Sequence, residues 1–493
     1  MMNNLKFLYG AAVQGIQSFI FQTNELKDIA GASELVEKIC TDYFTEFVGR
    51  GQLLVNAAGN IKCIFDDEET CRRAVREFPK KVMTSAPGIT ISEAVVKMDS
   101  TMDFAEAVEL LEQRLRSQRN KPFASITTGF MGIERSRKTG LPAVRVDGDE
   151  YVDMATEKKR KNSQLKNSEC TVHSLIEKAF DISEVEEKCI AFQLEKMVDI
   201  NNWLAVIHAD GNGLGHVVSK IGRNGKLLKS FSEGLDEATT IASRKAYSDV
   251  LKSEKYRPVD NVIPFRPVVL GGDDMTMICR ADLAVDYTRF FLSHFEKETE
   301  TLMSNLHKVD PTMDVSYLTA CAGIAFVKAS YPFYYGYQLA ETLCERAKKD
   351  ADRKASCLMY HKVQSSFVEN YDEIVRKELV PCEGCSFEFG PYYLKEKAGR
   401  WTIEELCGTV AKLEGKNGNA VKSDIREWMT LMNDGIEKAH QKEERVHAII
   451  TNIKEISLFE KATIPTVRNG ENRYAAYDLL ALHTILSQVT KEK

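Results

Sequence analysis

Apolar residues in the first hundred positions fall into short runs separated by stretches of helical spacing. LKFLYGAAV (5–13) reads as a strand, and the pattern over 25–48 reads as helix. QLLVNAAGNIKCIF follows as two apolar arms around a turn at Ala58-Gly59-Asn60. Helical spacing returns over 67–84, and GITISEAVVKM supplies a fourth strand. The order β-α-β-β-α-β is that of a ferredoxin-like unit. Residues 105–119 are spaced as a helix. Residues 120–170 are mixed and end in the basic run EKKRKNSQLKNSE, which reads as a solvated loop or mobile insert.

The same order then recurs. NNWLAVIHAD is a strand ending on Asp210, GNGLGHVVSK turns into a helix, and more helix is expected near 230–253. VIPFRPVVL and MTMICR are the arms of a hairpin, a helix covers about 283–307, and SYLTACAGIAFV is the next strand. FYYGYQLAETLCERAKKDADR is a helix, and SCLMYHKV a last strand. One βαββαβ unit is thus present twice, a duplication on the scale of a domain. Beyond about 390 the periodicity is helical (TIEELCGTVAKL, DIREWMTLMNDGIEKAHQKEERVHAIITNI, AAYDLLALHTILSQVTK), which predicts a small helical bundle.

Composition changes this picture little. At 493 residues, 43% hydrophobic and 28% charged, the chain has the make-up of a soluble globular protein of about three domains. A net charge of −6 argues against a surface that coats nucleic acid. No apolar run is long enough to span a membrane, and the start lacks the features of a secretory signal. The 12 cysteines sit mostly in apolar segments, as buried free thiols in a reducing cytoplasm would.

The candidate chemistry lies in VVLGGDDMTMICR, residues 268–280. A hairpin tip is satisfied by one Asp and one Gly, so the second carboxylate calls for a reason. In a βαββαβ unit the first strand runs beside the hairpin, which brings Asp210 toward Asp273 and Asp274. Three converging carboxylates repel one another unless a cation sits among them. Mg²⁺ is held by such groups together with substrate phosphates, and two ions serve in-line displacement at phosphorus. Gly271 and Gly272 leave room for a nucleotide near the backbone. Asp210 opens DGNGLG, whose glycines precede a helix with N–H groups free to face a phosphate, and Asn212 is a candidate contact to base or sugar. Lys348 and Lys349, in ERAKKDADRK, are candidate triphosphate contacts, Lys348 foremost. Each motif has a plain alternative: a good turn, a glycine pattern, a solvated helix end. It is their order within one frame that favours catalysis. The tip itself is expected to be exposed.

HADGNGLG, VVLGGDDM, AGIAFVKASYPFYYGYQLAETLCERAKK and GIQSFIF…IAGASELVE resemble the polymerase-cyclase large subunit of type III CRISPR effector complexes, or a stand-alone relative carrying its palm domains. The resemblance covers about 1–370, in an order shared with GGDEF-type cyclases. It implies metal binding by Asp210, Gly211, Asp273 and Asp274, phosphate contacts from the AKK helix, and cyclic oligoadenylate made from ATP. Family subunits often begin with a nuclease domain marked by a His-Asp pair. That dipeptide is missing, so no DNA-cleaving domain is expected. Relatives often carry a cysteine knuckle between the palms, but ERSRKTGLPAVRVDG has no cysteine. Cys382-Glu383-Gly384-Cys385 is half a tetrahedral site, which Cys357, His361 or Cys407 would have to complete, and zinc is not expected.

The expected fold class is therefore α+β: two ferredoxin-like palms plus a C-terminal helical domain. The expected divisions are 1–104 (first palm), 105–200 (inter-palm insert), 201–370 (second palm) and 371–493 (helical domain). The first palm carries Ala58-Gly59-Asn60 at its hairpin tip, and Ala12 stands about where Asp210 falls in the second. Without a carboxylate in either place it is expected to be catalytically dead. It either offers a nucleotide as acceptor across a pseudo-twofold axis or merely packs on the second palm. The expected function is a cytoplasmic nucleotidyltransferase that uses two Mg²⁺ (or Mn²⁺) ions at Asp210, Asp273 and Asp274. Its expected partners are nucleoside triphosphates, ATP first, with guide RNA and other effector subunits as candidates and no membrane. The alternatives are a catalytically silent nucleotide-binding subunit of an RNA-guided complex and a GTP-using cyclic dinucleotide cyclase.

Overall fold

The computed structural model describes residues 5–57, 59–99, 101–121, 131–163, 174–180, 196–198, 202–221, 224–253, 262–311, 314–364 and 370–487. In the first unit, β1 (Lys6–Gln14), β2 (Gln52–Ala57), β3 (Asn60–Phe65) and β4 (Thr90–Met98) form an antiparallel sheet in the order β2-β3-β1-β4. This is the ferredoxin-like order. Side chains alternate across the sheet. Phe7, Tyr9, Ile61 and Cys63 face a cluster with Phe44, Phe78 and Val82, while Leu8, Val96 and Met98 meet Leu111 and Leu115 of the helix Phe104–Arg119.

The basic run after this unit is not a solvated loop where it is described. A hairpin of β5 (Ala143–Asp147) and β6 (Glu150–Asp153) leads into a helix, Met154–Ser163. Lys159 and Arg160 are buried there against the helix Leu26–Lys38. Arg160 Nε donates to Asp28 Oδ1 (2.8 Å), and Lys159 Nζ donates to the Phe19 carbonyl (2.6 Å). Specific acceptors on the first unit recruit charges that the sequence pattern assigns to solvent. Residues 164–169 of the run lie outside the described residues.

The second unit repeats the order. β7 (Trp203–Gly211), β8 (Phe265–Gly271), β9 (Asp274–Arg280) and β10 (Ala320–Lys328) stand as β8-β9-β7-β10, and β11 (Cys357–Lys362) extends the sheet in parallel to β10. One face, with Ala205, Ile207 and Ala209, packs under the helices Gly225–Lys252 and Ala284–Val309. The other face, with Leu204 and Val206, shares a core with the helix Phe333–Asp350 and with the first unit. Phe21 stacks on Tyr337 at 5.1 Å, and Gln17 Nε2 donates to the Tyr337 hydroxyl at 3.0 Å.

The C-terminal part contains the expected helices, Ile403–Lys412, Gly415–Asp434, Ile436–Ile449, Ile453–Thr463 and Ala476–Leu486, around the fully buried Trp428. It is not helical throughout. β12 (Cys385–Ser386), β14 (Thr466–Arg468) and β15 (Glu471–Arg473) form a small sheet, and β13 (Tyr392–Tyr393) adds to the second unit's sheet beside β11. The Tyr392 and Tyr360 hydroxyls donate to the carboxylate and carbonyl of Asp478 (2.7 and 2.8 Å), fastening this part to the sheet. No helix among the described residues is long and apolar enough to cross a membrane.

Candidate active site

The β8–β9 hairpin closes on the pair Gly271–Asp274, which leaves Gly272 and Asp273 as the turn. Gly272 has a positive φ of 60°. That is what the first position of a II′ hairpin turn requires and what glycine tolerates. Two groups on the helix Gly225–Lys252 clamp the tip. Thr239 Oγ1 donates to the Gly272 carbonyl (2.6 Å), and the Gly272 N–H donates to Asp236 Oδ1 (3.1 Å).

Asp210 lies near the end of β7, the strand paired with β9. One residue beyond the Ala209–Met275 pair, the register sets Asp210 opposite Asp274. Gly211 makes the close approach possible. A Cβ there would stand 2.9 Å from the Asp273 Cβ and 2.5 Å from a Leu214 methyl. The three carboxylates therefore meet, as the motif order predicts, but the tip is half-buried rather than exposed. Burial, then the neighbouring Asp274 and Asp210, push the Asp273 carboxyl well above the ordinary range. Burial and the Asp210 charge raise Asp274 to about 7, with Lys348 opposing.

Lys348 is not a solvated end-of-helix lysine. Only 3% of its side chain is exposed, and its ammonium is ion-paired with Asp210 Oδ2 and hydrogen-bonded to the Gly211 carbonyl (2.9 Å). Lys349, one residue on, is exposed. Asn212 is buried, and its amide nitrogen donates to Thr319 Oγ1 (3.0 Å) and approaches Cys321 Sγ (3.3 Å) and the Ala355 carbonyl (3.3 Å). Its role in this arrangement is to hold the loop after β7 onto β10. Its side-chain oxygen has no partner among the described residues. Gly271 lines a cavity of about 70 Å³ together with Asp274, His208 and Tyr337 from the second unit and Gln17 and Gly59 from the first. Both hairpin tips thus border one space. It is far smaller than the roughly 300–1,000 Å³ of ordinary ligand pockets, so a nucleotide entering there must displace side chains.

The donor chemistry suits a hard dication: two carboxyls raised by burial and by neighbouring negative charge, a third beside them, and a carbonyl. Yet among the described residues no three His, Cys, Asp or Glu side chains are set out as a ligand cluster. The carboxylates act on one another's charge while Lys348 holds an oxygen of Asp210 and the carbonyl of Gly211. A metal ion at this place would compete with Lys348 for that Asp210 oxygen and for the Gly211 carbonyl.

Comparison with known proteins follows the same lines. Residues 203–357 match the family described as Cas10/Cmr2, second palm domain. The second unit is a Cas10-like palm. No curated protein matches the chain. Among solved structures the chain is similar to the Csm1-Csm4 cassette in complex with cA4 (TM-score 0.61, 14% identity), with pppApA (0.59, 15%) and with AMPPNP (0.58, 15%). Each match covers 99% of this chain and 70% of the other. At such identities the likeness is one of fold.

Around the Cas10-like palm the structure adds residues that the sequence reading passes over. Tyr337 and Glu341 lie on the same helix face as Lys348, eleven and seven residues before it. Burial raises the Glu341 carboxyl, with Asp210 adding to the effect, and the Tyr337 hydroxyl lies 3.5 Å from Glu341 Oε1. His208 packs edge-on to Tyr337 (5.4 Å), with Nδ1 3.1 Å from Thr276 Oγ1, and burial lowers it to about 4, so it is neutral at pH 7. The i, i+4, i+11 spacing in YQLAETLCERAK was the available signal for the Tyr337 face. Asp236 and Thr239 left none, because their role depends on a contact more than thirty residues away. Cys385 Sγ lies 3.9 Å from the Tyr474 hydroxyl.

Proposed function

We propose that the chain is a nucleotidyltransferase that joins nucleoside triphosphates, ATP first, into cyclic oligoadenylate, and that it works with other subunits of a type III CRISPR effector. The observation that carries this reading is the meeting of Asp210, Asp273 and Asp274 at one end of a Cas10-like palm. Support for the nucleotide comes from the similar cassettes solved with AMPPNP, pppApA and cA4, and support for a partner subunit from their Csm1-Csm4 composition.

Asp210, Asp273, Asp274 and the Gly211 carbonyl are the groups that would hold two Mg²⁺ or Mn²⁺ ions. Bound there, divalent cations supply positive charge to an attacking 3′-oxygen and to the departing pyrophosphate. The chain's own contribution is positioning. Thr239 and Asp236 fix the hairpin tip, and Gly211, Gly271 and Gly272 let a nucleotide approach the backbone. Lys348 is the mobile counter-charge: it neutralises Asp210 in the free protein and passes to a triphosphate oxygen when Asp210 takes a cation. Lys349, at the exposed end of the helix, offers a second contact to phosphate.

The Lys348–Asp210 pair is also the one feature that favours the catalytically silent reading, since it occupies the site as it stands. Incubating the purified chain with each of the four nucleoside triphosphates and Mg²⁺, followed by mass spectrometry, separates the two. Magnesium-dependent cyclic product from ATP is expected. Nucleotide binding without turnover, in the chain alone and in its effector complex, would make it a sensor subunit instead.

A further inference from the structure

In the second unit, β10 has neighbours on both sides: β7 on one and β11 on the other. The equivalent strand of the first unit is β4, and among the described residues it pairs only with β1. Its other side lines a groove of about 830 Å³. Val75 and Pro79 of the helix Glu68–Ser85 form one wall. Leu110, Arg114 and Ser117 of the helix Phe104–Arg119 form the other. The opposite edge of this sheet, β2, is covered by the helix Gly225–Lys252.

Which backbone groups face the groove follows from the pairing. The β4–β1 register is continuous, so alternate residues of β4 turn their N–H and C=O groups toward β1 and away from it. The Arg114 guanidinium, which lines the groove, donates to the Val95 carbonyl. Val95, Glu93 and Ile91 are therefore the outward set. Among the described residues none of the three makes a backbone hydrogen bond outside the strand pairing. A bare strand edge is a template for another strand. The floor and walls are apolar at Ile91, Val75, Pro79 and Leu110, while the exposed Arg114 and Lys121 make the rim basic.

We propose that the β4 edge of the first unit is a strand-addition site, taken by an extended, β-branched segment of a partner chain with acidic residues flanking it. The added strand does for the first sheet what β11 does for the second. Main-chain hydrogen bonds to Ile91, Glu93 and the N–H of Val95 provide the attachment, alternate side chains fill the space between the two helices, and acidic flanks meet Arg114 and Lys121. This inference is independent of the chemistry at Asp273.

The test uses the whole chain and a short synthetic peptide of alternating valine and threonine with glutamate at both ends. Amide hydrogen exchange is read residue by residue. In the chain alone the amides of Ile91, Glu93 and Val95 should exchange fast, and those of Ser92 and Ala94 slowly. With peptide, the outward three should slow by roughly tenfold or more. A peptide N-methylated on alternate amides should give no protection, and a lysine-flanked version less than the glutamate one. Ser117→Trp, on the exposed wall, should remove the protection while leaving the fold intact. Slow exchange at the outward amides without peptide would overturn the proposal by showing the edge already covered. Protection that grows with the chain's own concentration would assign the edge to a second copy instead. Equal protection by the N-methylated peptide would reduce the groove to an apolar patch.

Discussion

In the first unit the end of β1 meets the tip of the β2–β3 hairpin at the pair Ala12–Asn60; in the second, the same geometry sets Asp210 opposite Asp274. The hairpins correspond in register, since Ala57–Asn60 and Gly271–Asp274 are the last pairs before each tip. One scaffold therefore carries three carboxylates in one copy and none in the other. Ferredoxin-like topology alone gathers a strand end and a hairpin tip; it does not dictate what stands there. The surroundings differ to match. The second tip is clamped by Thr239 and Asp236, and its charge is partly met by Lys348. The first has its acid elsewhere, at Glu93, which takes a hydrogen bond from the Tyr9 hydroxyl (2.9 Å). The two tips border a single cavity, so the contrast lies across one interface.

The contrast breaks most sharply at Asp210. Asp210→Asn should lower product formation by on the order of 10²–10³, because it removes a charge aimed at the reacting groups. Rates near wild type at saturating Mg²⁺, measured by product release, would make Asp210 a structural partner of Lys348. Lys348→Ala acts on the same pair from the other side. It leaves Asp210 without its counter-charge, and a loss of about 1–3 kcal/mol in urea unfolding is expected without divalent cations. Added Mg²⁺ should restore part of that loss, while triphosphate binding weakens. An unchanged unfolding midpoint would mean that the pair contributes nothing in solution.

A graft sharpens the comparison further. Ala12→Asp with Asn60→Asp should give the first unit weak Mn²⁺ binding, measurable by calorimetry, and no turnover of its own. A site also needs the groups that hold its ligands in place. Turnover from the graft in an Asp273→Ala/Asp274→Ala background would show that the carboxylates suffice. The smallest effect is expected at Glu93, whose carboxyl burial raises to about 7. The folded state keeps a proton that the unfolded chain has released, so Glu93's stabilising contribution is complete below pH 4 and is lost as the pH rises to 7. Glu93→Gln should therefore raise the melting temperature at pH 8 by about 2 °C or more, and much less at pH 5. An equal gain at both values would exclude ionisation as the cause.

Much of this contrast was legible in the sequence. Alternation and helical spacing placed each palm strand within a few residues, and the order of runs gave the duplicated ferredoxin-like topology. The placement of Ala12 against Asp210 came from that order and agrees with the strand register. What failed to show depended on distant partners. The buried ion pair of Lys348 is invisible in a helix end that reads as solvated. The run at 157–163 looks like a loop until Asp28 and the Phe19 carbonyl are there to bind Arg160 and Lys159. The short strands β12 to β15 have too few residues for a period to register, and they form only against the palm and one another. The half-burial of the hairpin tip follows from the helix Gly225–Lys252 closing over it, which no local pattern encodes.

The central claim is that one palm of the two binds metal, through Asp273 and Asp274. Electron paramagnetic resonance of bound Mn²⁺, with a non-hydrolysable ATP analogue present, tests it most directly. The account predicts one coupled pair of ions in the wild-type chain, and none in Asp273→Ala/Asp274→Ala at the same concentrations. A coupled pair that survives in the double variant would place the metal elsewhere and contradict the account.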